Sequence, residues 1–185
     1  METELLNIES VSSEQKAAAL RKAGEIIREG GLVAFPTETV YGLGADALNA
    51  EAAAKIYAAK GRPSDNPLIV HIHDISQVYE IAEEVPDEAK AVMEKFWPGP
   101  LTIILNKKSC VPDGTTGGLH TVAIRMPSHP IARDFIRESG RMIAAPSANT
   151  SGRPSPTLAS HVYEDMQGRI PLILDGGAVG IGIES

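Results

Sequence analysis

Three short segments carry residue types and spacings suited to holding an anionic ligand. Pro36-Thr37-Glu38-Thr39-Val40-Tyr41-Gly42-Leu43-Gly44 crowds hydroxyls and a carboxylate where the chain leaves an apolar run, and its glycines let the backbone come close to a ligand. Lys60-Gly61-Arg62-Pro63, with Asn66-Pro67 just after it, delivers two cations from a helix end, and its prolines restrict the chain before the next strand. Ala144-Ala145-Pro146-Ser147-Ala148-Asn149-Thr150-Ser151-Gly152-Arg153-Pro154-Ser155 is a run of small residues dense in hydroxyl and amide groups. Small side chains bring backbone N–H groups within reach of an anion. Each segment also has an ordinary reading: turn chemistry for the first, a lysine complementing the helix dipole for the second, a solvated loop for the third. None alone identifies a ligand.

Spacing argues against the familiar nucleotide cradles. No G-x-x-x-x-G-K-[ST] loop occurs, and Gly42-Leu43-Gly44 and Gly180-Ile181-Gly182 lack the third glycine and the context of a dinucleotide fingerprint. His71-Ile72-His73-Asp74 puts two histidines on one face of a strand, but without a convincing third ligand this is more simply a polar strand edge than a metal site.

These segments must be positioned by elements legible in the pattern. Ser12 with Gln15 forms a capping box for a helix with Leu20, Ala23 and Ile27 on one face, stopped at Gly30-Gly31. A strand over 32–35 follows, then a helix capped by Asn49 and running through Lys60 to Gly61, then a strand over 68–72. Ser76 and Asp87 begin further helical stretches. Strands over 101–105 and 121–125 flank a turn-rich loop holding Gly114, Gly117 and Gly118. Pro130 opens a helix, 142–145 is a strand, Thr157 caps a helix, and 171–174 is a strand ending at Asp175-Gly176-Gly177. Such alternation predicts a single α/β domain over residues 1–185, with a twisted open mixed sheet flanked by helices and no internal repeat.

Composition sets the bounds. At 185 residues, 43% hydrophobic but only 4% aromatic, with 17 Gly and 13 Pro, the chain predicts an aliphatic core and numerous loops. Its net charge of −7 argues against a module that coats nucleic acid non-specifically. Residues 101–153 nevertheless hold seven basic groups against three acidic ones, which fits a local anion site, although solvated surface charge is also a sufficient account. One cysteine, Cys110, no signal segment and no membrane-length apolar run predict a reducing cytoplasm and no membrane association.

Taken together, the stretches P-T-E-T-V-Y-G-L-G, K-x-R-P with N-P-L-I-V-H, F-W-P-G-P-L-T, V-A-I-R-M-P and A-P-S-A-N-x-S-G resemble the YrdC family in the family's order, from about Gly31 onward. The resemblance implies a large concave basic cavity and the reaction of ATP, L-threonine and bicarbonate to threonylcarbamoyl-adenylate and pyrophosphate. The product serves the N6-threonylcarbamoyladenosine modification of transfer RNA. Carried over by position, L-threonine contacts fall on Thr39, His71, Arg125, the backbone at Ala145, and Ser185. ATP contacts fall on Arg62, Asn66, Thr121, Ser147 and Ser155, and the family's Lys/Arg/Ser/Asn catalytic set on Lys60, Arg62, Ser147 and Asn149. The chemistry suits that allocation, since Arg125 has a bidentate fork for a carboxylate and Lys60 with Arg62 can meet phosphates.

The resemblance further implies Mg2+ with ATP, although no ligand set for it is encoded. It also implies a downstream threonylcarbamoyl transferase complex and, from the family's concave surface, a weak direct contact with tRNA. In the family's long form a linker and a second small domain would follow, and these are absent from residues 1–185. Two other functions are weighed beside it. An RNA-binding module is disfavoured by the acidic charge and the lack of an aromatic platform. Carbamoyl transfer, as in hydrogenase maturation, normally comes with acylphosphatase and zinc-finger segments that this sequence lacks.

Overall fold

The computed structural model describes residues 1–61 and 66–180. Its first elements are β1 (Glu4–Asn7), α1 (Ser13–Arg28), β2 (Val33–Pro36), β3 (Tyr41–Asp46), α2 (Ala50–Lys60) and β4 (Ile69–His71). A 3-10 turn (Ile75–Gln77) leads into α3 (Val78–Ile81), α4 (Asp87–Phe96), β5 (Thr102–Asn106), α5 (Asp113–Thr116) and β6 (Thr121–Arg125). The chain continues with α6 (Pro130–Ser139), β7 (Ile143–Ala145), α7 (Ala159–Met166) and β8 (Leu172–Asp175). The strands form one mixed sheet in the order β1-β8-β2-β3-β7-β4-β6-β5.

Local chemistry explains most boundaries. Ser12 and Gln15 exchange side-chain and backbone bonds, both 3.2 Å, at the start of α1. Asn49 Oδ1 accepts from the N–H groups of Glu51 and Ala52, and Gly61 ends α2 at φ 70°, a conformation costly for any residue with a Cβ. His129 caps α6 and Pro130 occupies its first turn.

Period-2 alternation sorts the strands between two cores. Val33 and Phe35 of β2, Ile143 and Ala145 of β7, and Leu172 and Leu174 of β8 pack under α1 and α6. Their neighbours Ala34, Ala144 and Ile173 face the larger core beneath α2 and α7. Full burial of a side chain such as Leu20 or Ile27 on α1 contributes about 1.5–3 kcal/mol.

The α1–α6 layer stops short of the far half of the sheet. Across that half the register runs Ala145–Ile69–Ala123–Ile104 in one row and Ile143–His71–Arg125–Thr102 in the next. Exposure rises along the first row from 2% at Ala145 to 66% at Ile104. The opposite face of the same strands, Val70, Val122 and Ile124, stays in the larger core. The sheet is therefore covered on both sides at one end and opens on one side at the other.

Four elements differ from the sequence reading. The segment read as a loop after β2 is a tight hairpin, in which β3 pairs antiparallel with β2 through Val33–Gly44 and Pro36–Tyr41. Its glycines answer to packing, since a Cβ at Gly44 would lie 2.6 Å from Ile143 Cγ2 and 2.9 Å from Phe35 Cε1. Residues 4–7 form the edge strand β1, parallel to β8. The helical stretch read from Ser76 begins one residue earlier, as a 3-10 turn from Ile75 capped by Asp74, whose side chain accepts from the Ser76 N–H at 2.9 Å. Thr157 does not cap α7, which begins after Leu158 without a side-chain cap. The Thr157 carbonyl instead accepts from the Val179 N–H at 3.0 Å.

Candidate active site

A cavity of about 230 Å³ opens where the helical cover ends. Its floor is the two sheet rows, represented by Ile69, His71, Arg125 and Ala145, and its walls are Thr37, Val40 and Gly42 on one side and Pro146, Ser147 and Ser155 on another. Of the residues carried over from the family, it brings together His71, Arg125, Ala145, Ser147 and Ser155. The described residues bound a space below the roughly 300–1,000 Å³ of pockets for drug-sized ligands, closer to an amino acid than to a nucleoside triphosphate.

Arg125 is 3% exposed and is the one residue of permanent charge among the described lining residues. Nε donates to the Gly99 carbonyl at 3.3 Å, and Nη2 pairs with Glu38 Oε1 at 2.5 Å. Burial pulls the guanidinium below its ordinary value and Glu38 offsets part of that. The fork expected to be open for a ligand is thus already engaged in part by the chain. Gly99 is itself held in place, its N–H donating to the Met126 carbonyl at 2.8 Å.

His71 lies beside Arg125 in the same row, 4% exposed and edge-on to Phe35 at 5.8 Å. Nδ1 donates to the Ile69 carbonyl at 2.9 Å. Burial first, and then the neighbouring Arg125, lowers its pKa to about 4, so the imidazole is neutral at physiological pH.

Lys60 and Asn149 stand behind the cavity wall and do not line it. Lys60, 4% exposed at the C-terminus of α2, donates from Nζ to the Ser147 carbonyl at 2.5 Å and to Asn149 Oδ1 at 3.3 Å. Asn149 Oδ1 also accepts from Ser147 Oγ at 2.5 Å, and its Nδ2 donates to the carbonyls of Thr150 and Arg153. The small-residue segment is therefore pinned from inside. Four N–H groups after Ser147 are spent within the protein: Ala148 on the Tyr41 carbonyl, Thr150 on Asp165 of α7, Ser151 on the Lys60 carbonyl, and Arg153 on the Thr150 carbonyl. The open cradle of N–H donors read from the sequence is narrower than expected, because this segment also buttresses β3 and α2.

Thr39 does not line the cavity; its Oγ1 lies 3.2 Å from that of Thr37, which does. Asn66 and Thr121 also lie outside the lining. The Asn66 carbonyl accepts from the Tyr57 hydroxyl, and Thr121 pairs with Asn106 near the far edge of the sheet. Arg62 and Ser185 lie outside the described residues. Gly180, the last described residue, packs against the β2–β3 turn, where an added Cβ would fall 2.3 Å from the Thr39 carbonyl oxygen.

Sequence reasoning gave no role to several residues that frame this site. Glu38, inside a quoted motif, holds Arg125. Tyr41 is fully buried and joins β3 to the exit of β8, donating to the Gly177 carbonyl at 2.7 Å and accepting from the Gly176 N–H at 3.0 Å. Its phenol is pushed up from its ordinary value, chiefly by burial. Asp165 ties down the 147–155 segment. No local pattern marks Asp165, whose partner Thr150 lies 15 positions away.

The same geometry has solved relatives. The structure of Sua5 from Pyrococcus abyssi complexed with L-threonine superposes with a TM-score of 0.93 at 55% identity, covering 98% of this chain and 53% of that one. Escherichia coli YciO shares the fold at a TM-score of 0.82 and 23% identity, covering 97% of this chain and 85% of that one. Among curated sequences, the threonylcarbamoyl-AMP synthase of Bacillus subtilis is 60% identical over 170 residues, 90% of this chain and 48% of the relative. The chain thus spans about half the length of that relative, and likewise of the Pyrococcus abyssi and Schizosaccharomyces pombe threonylcarbamoyl-AMP synthases. With the model for the Sua5/YciO/YrdC family, described as telomere recombination, matching residues 25–185, the chain belongs to that family.

Proposed function

We propose that this chain makes threonylcarbamoyl-AMP from L-threonine, bicarbonate and ATP, releasing pyrophosphate, as a step toward N6-threonylcarbamoyladenosine in tRNA. The observation that carries the reading is a buried arginine beside a neutral histidine in an amino-acid-sized cavity, in a chain 55% identical to a protein solved with L-threonine.

In this reading Arg125 takes the threonine carboxylate through the N–H groups left over from Gly99 and Glu38. The neutral His71 accepts from the hydroxyl or amine without opposing the arginine's charge, and the hydroxyls of Thr37 and Thr39 stand at the same end. The neutral amine forms an N–C bond with bicarbonate carbon as a C–O bond breaks, and the departing hydroxide takes the amine's proton and leaves as water, giving a carbamate. A carbamate oxygen then bonds to the α-phosphorus as the bond to the β-phosphate oxygen breaks, and pyrophosphate leaves with that electron pair. No side-chain nucleophile is required, so positioning and electrostatic stabilisation dominate. Ser147 and Ser155 face the cavity for phosphate contacts, Lys60 and Asn149 hold Ser147 in place, and Arg62, Asn66 and Thr121 complete the proposed ATP set.

Mg2+ accompanying ATP would sit on phosphate oxygens and water. Among the described residues no group of three or more His, Cys, Asp or Glu side chains stands together to hold it. Likewise no described helix is long and apolar enough to cross a membrane. A cytoplasmic setting, delivery of the reactive anhydride to a threonylcarbamoyl transferase and a weak tRNA contact belong to the same proposal.

The test is pyrophosphate release from ATP, measured with both L-threonine and bicarbonate, with each omitted, and with L-serine in place of threonine. Release that needs both co-substrates supports the reading. Release indifferent to threonine overturns it.

A further inference from the structure

We propose that Glu38 is a positioning residue that locks the Arg125 guanidinium in the orientation presenting its remaining N–H groups to the cavity. The inference rests on the reading of the cavity as an amino-acid site. It comes from a carboxylate that this reading leaves without a task, next to the cation on which the reading depends.

Glu38 is held at both oxygens. Oε1 takes Arg125 Nη2 at 2.5 Å, while Oε2 accepts from the Ser128 N–H at 3.0 Å and from Ser128 Oγ at 2.9 Å. Its side chain is 22% exposed and that of Arg125 4%. Burial alone would raise the Glu38 carboxyl, but Arg125 and the Ser128 N–H outweigh it and the net displacement is downward, so the group stays a carboxylate. Glu38 does not line the cavity, so it meets the guanidinium outside the ligand space.

Arg125 is braced from another side as well, through Nε on the Gly99 carbonyl. Two of its three nitrogens are therefore tied to the protein before any ligand arrives. A bare arginine would have to give up side-chain freedom on binding, which costs affinity. Glu38 removes that cost in advance and supplies the charge that makes the buried cation tolerable. It also joins three separate pieces of chain: the β2–β3 turn, the end of β6 and the segment leading into α6.

A rival role is conceivable for the same contact. Glu38 would then be an internal stand-in for the ligand carboxylate, released when threonine binds. Release would break the Ser128 bonds only if the whole side chain swung away, and it would leave a second carboxylate near the ligand. Locking demands no such movement.

The two roles predict opposite results for Glu38→Gln. A glutamine has one acceptor oxygen, so its NH2 must face either Arg125 Nη2 or the Ser128 N–H, donor against donor. Locking predicts that threonine affinity, measured by calorimetric titration of the whole chain, falls at least tenfold while ATP affinity changes less than twofold. Glu38→Asp should recover part of the loss. Circular dichroism melts would identify the folded fraction, and Ser128→Ala, which spares the Arg125 contact, should leave threonine affinity within about threefold of the parent. Tighter threonine binding by Glu38→Gln would establish the competitor role and overturn the proposal, as would equal losses for threonine and ATP. If the parent protein itself fails to bind threonine, the proposed function is at fault.

Discussion

Lys60 Nζ reaches the Ser147 carbonyl at 2.5 Å across 87 positions of sequence, so a helix C-terminus and the small-residue segment share one buried cation. Replacing it by methionine keeps the volume but takes the Lys60 donor from the Ser147 carbonyl and leaves Asn149 Oδ1 with the Ser147 hydroxyl alone, at a cost of about 1–3 kcal/mol in stability. Turnover should fall by about two orders of magnitude, the scale on which misplacing a contact residue such as Ser147 costs rate. Steady-state pyrophosphate release by Lys60→Met, beside urea denaturation, would measure both. If activity survives Lys60→Ala and Arg62→Ala together, the lysine serves only the helix dipole.

Arg125→Ala should weaken threonine binding by about 2–4 kcal/mol and leave ATP binding nearly unchanged, because a carboxylate loses its charged partner in a largely dry site. Stability should fall too, since Glu38 would be left without its counter-ion. Combining Arg125→Met with Glu38→Gln should therefore restore stability relative to Arg125→Met alone without restoring affinity. Titration calorimetry showing threonine affinity within twofold of wild type in Arg125→Ala would remove Arg125 from the site.

His71 sets a pH dependence whose sign is fixed. Its folded pKa is depressed from 6.5 to about 4, so the unfolded chain binds a proton that the folded chain refuses. Stability is then lost as the pH falls through that window, by roughly 3 kcal/mol in all for a fully buried group, and His71 contributes no slope above or below it. Thermal melts of wild type and His71→Asn between pH 7 and pH 4 should show a shallower decline for the variant. Parallel curves would mean that folded and unfolded chains bind the His71 proton equally well, and that burial does not depress its pKa.

Gly44→Ala should destabilise by roughly 1–3 kcal/mol through overpacking, because the added methyl would meet Ile143 and Phe35 in the sheet interior. Gly42→Ala should cost less, since its nearest contacts, 3.2 Å to the Phe35 ring and 3.5 Å to Ala145 Cβ, need only a small adjustment. Chemical denaturation midpoints would rank the two. The reverse order would mean that Gly42, at the cavity wall, is the tighter position.

These glycines illustrate how far the sequence could be read. Caps at Ser12 and Asn49, the stop at Gly61 and the strand over 121–125 were legible because each depends on neighbours a few residues away. The hairpin strand β3 was not, because its two glycines, alanine and aspartate have low strand propensity, and what makes Gly42 and Gly44 fit is Phe35 and β7 on either side. β1 is four residues long and half-exposed, so only β8 reveals it. At the site, residue types announced an arginine, a histidine and a small-residue loop. The partners that orient them, Glu38 for Arg125 and Asp165 for Thr150, are set by tertiary distances that no local pattern encodes.

The sheet order also bears on how the protein is made. Among the described strands β8 is synthesised last, yet it lies between β1 and β2. Until residues 172–175 emerge, β1 has no neighbour and β2 shows an open edge beside an already formed hairpin, the kind of surface that recruits other chains. Pairings as distant in sequence as Glu4 with Leu172 are also slow to close. The Tyr41 hydroxyl finds the Gly176 N–H only when β8 is seated, so the strand beside the cavity's hydroxyl wall gains its brace in the same event. A nascent chain would thus become able to hold its ligand, and cover that open edge, in the single event of residues 172–175 joining the sheet.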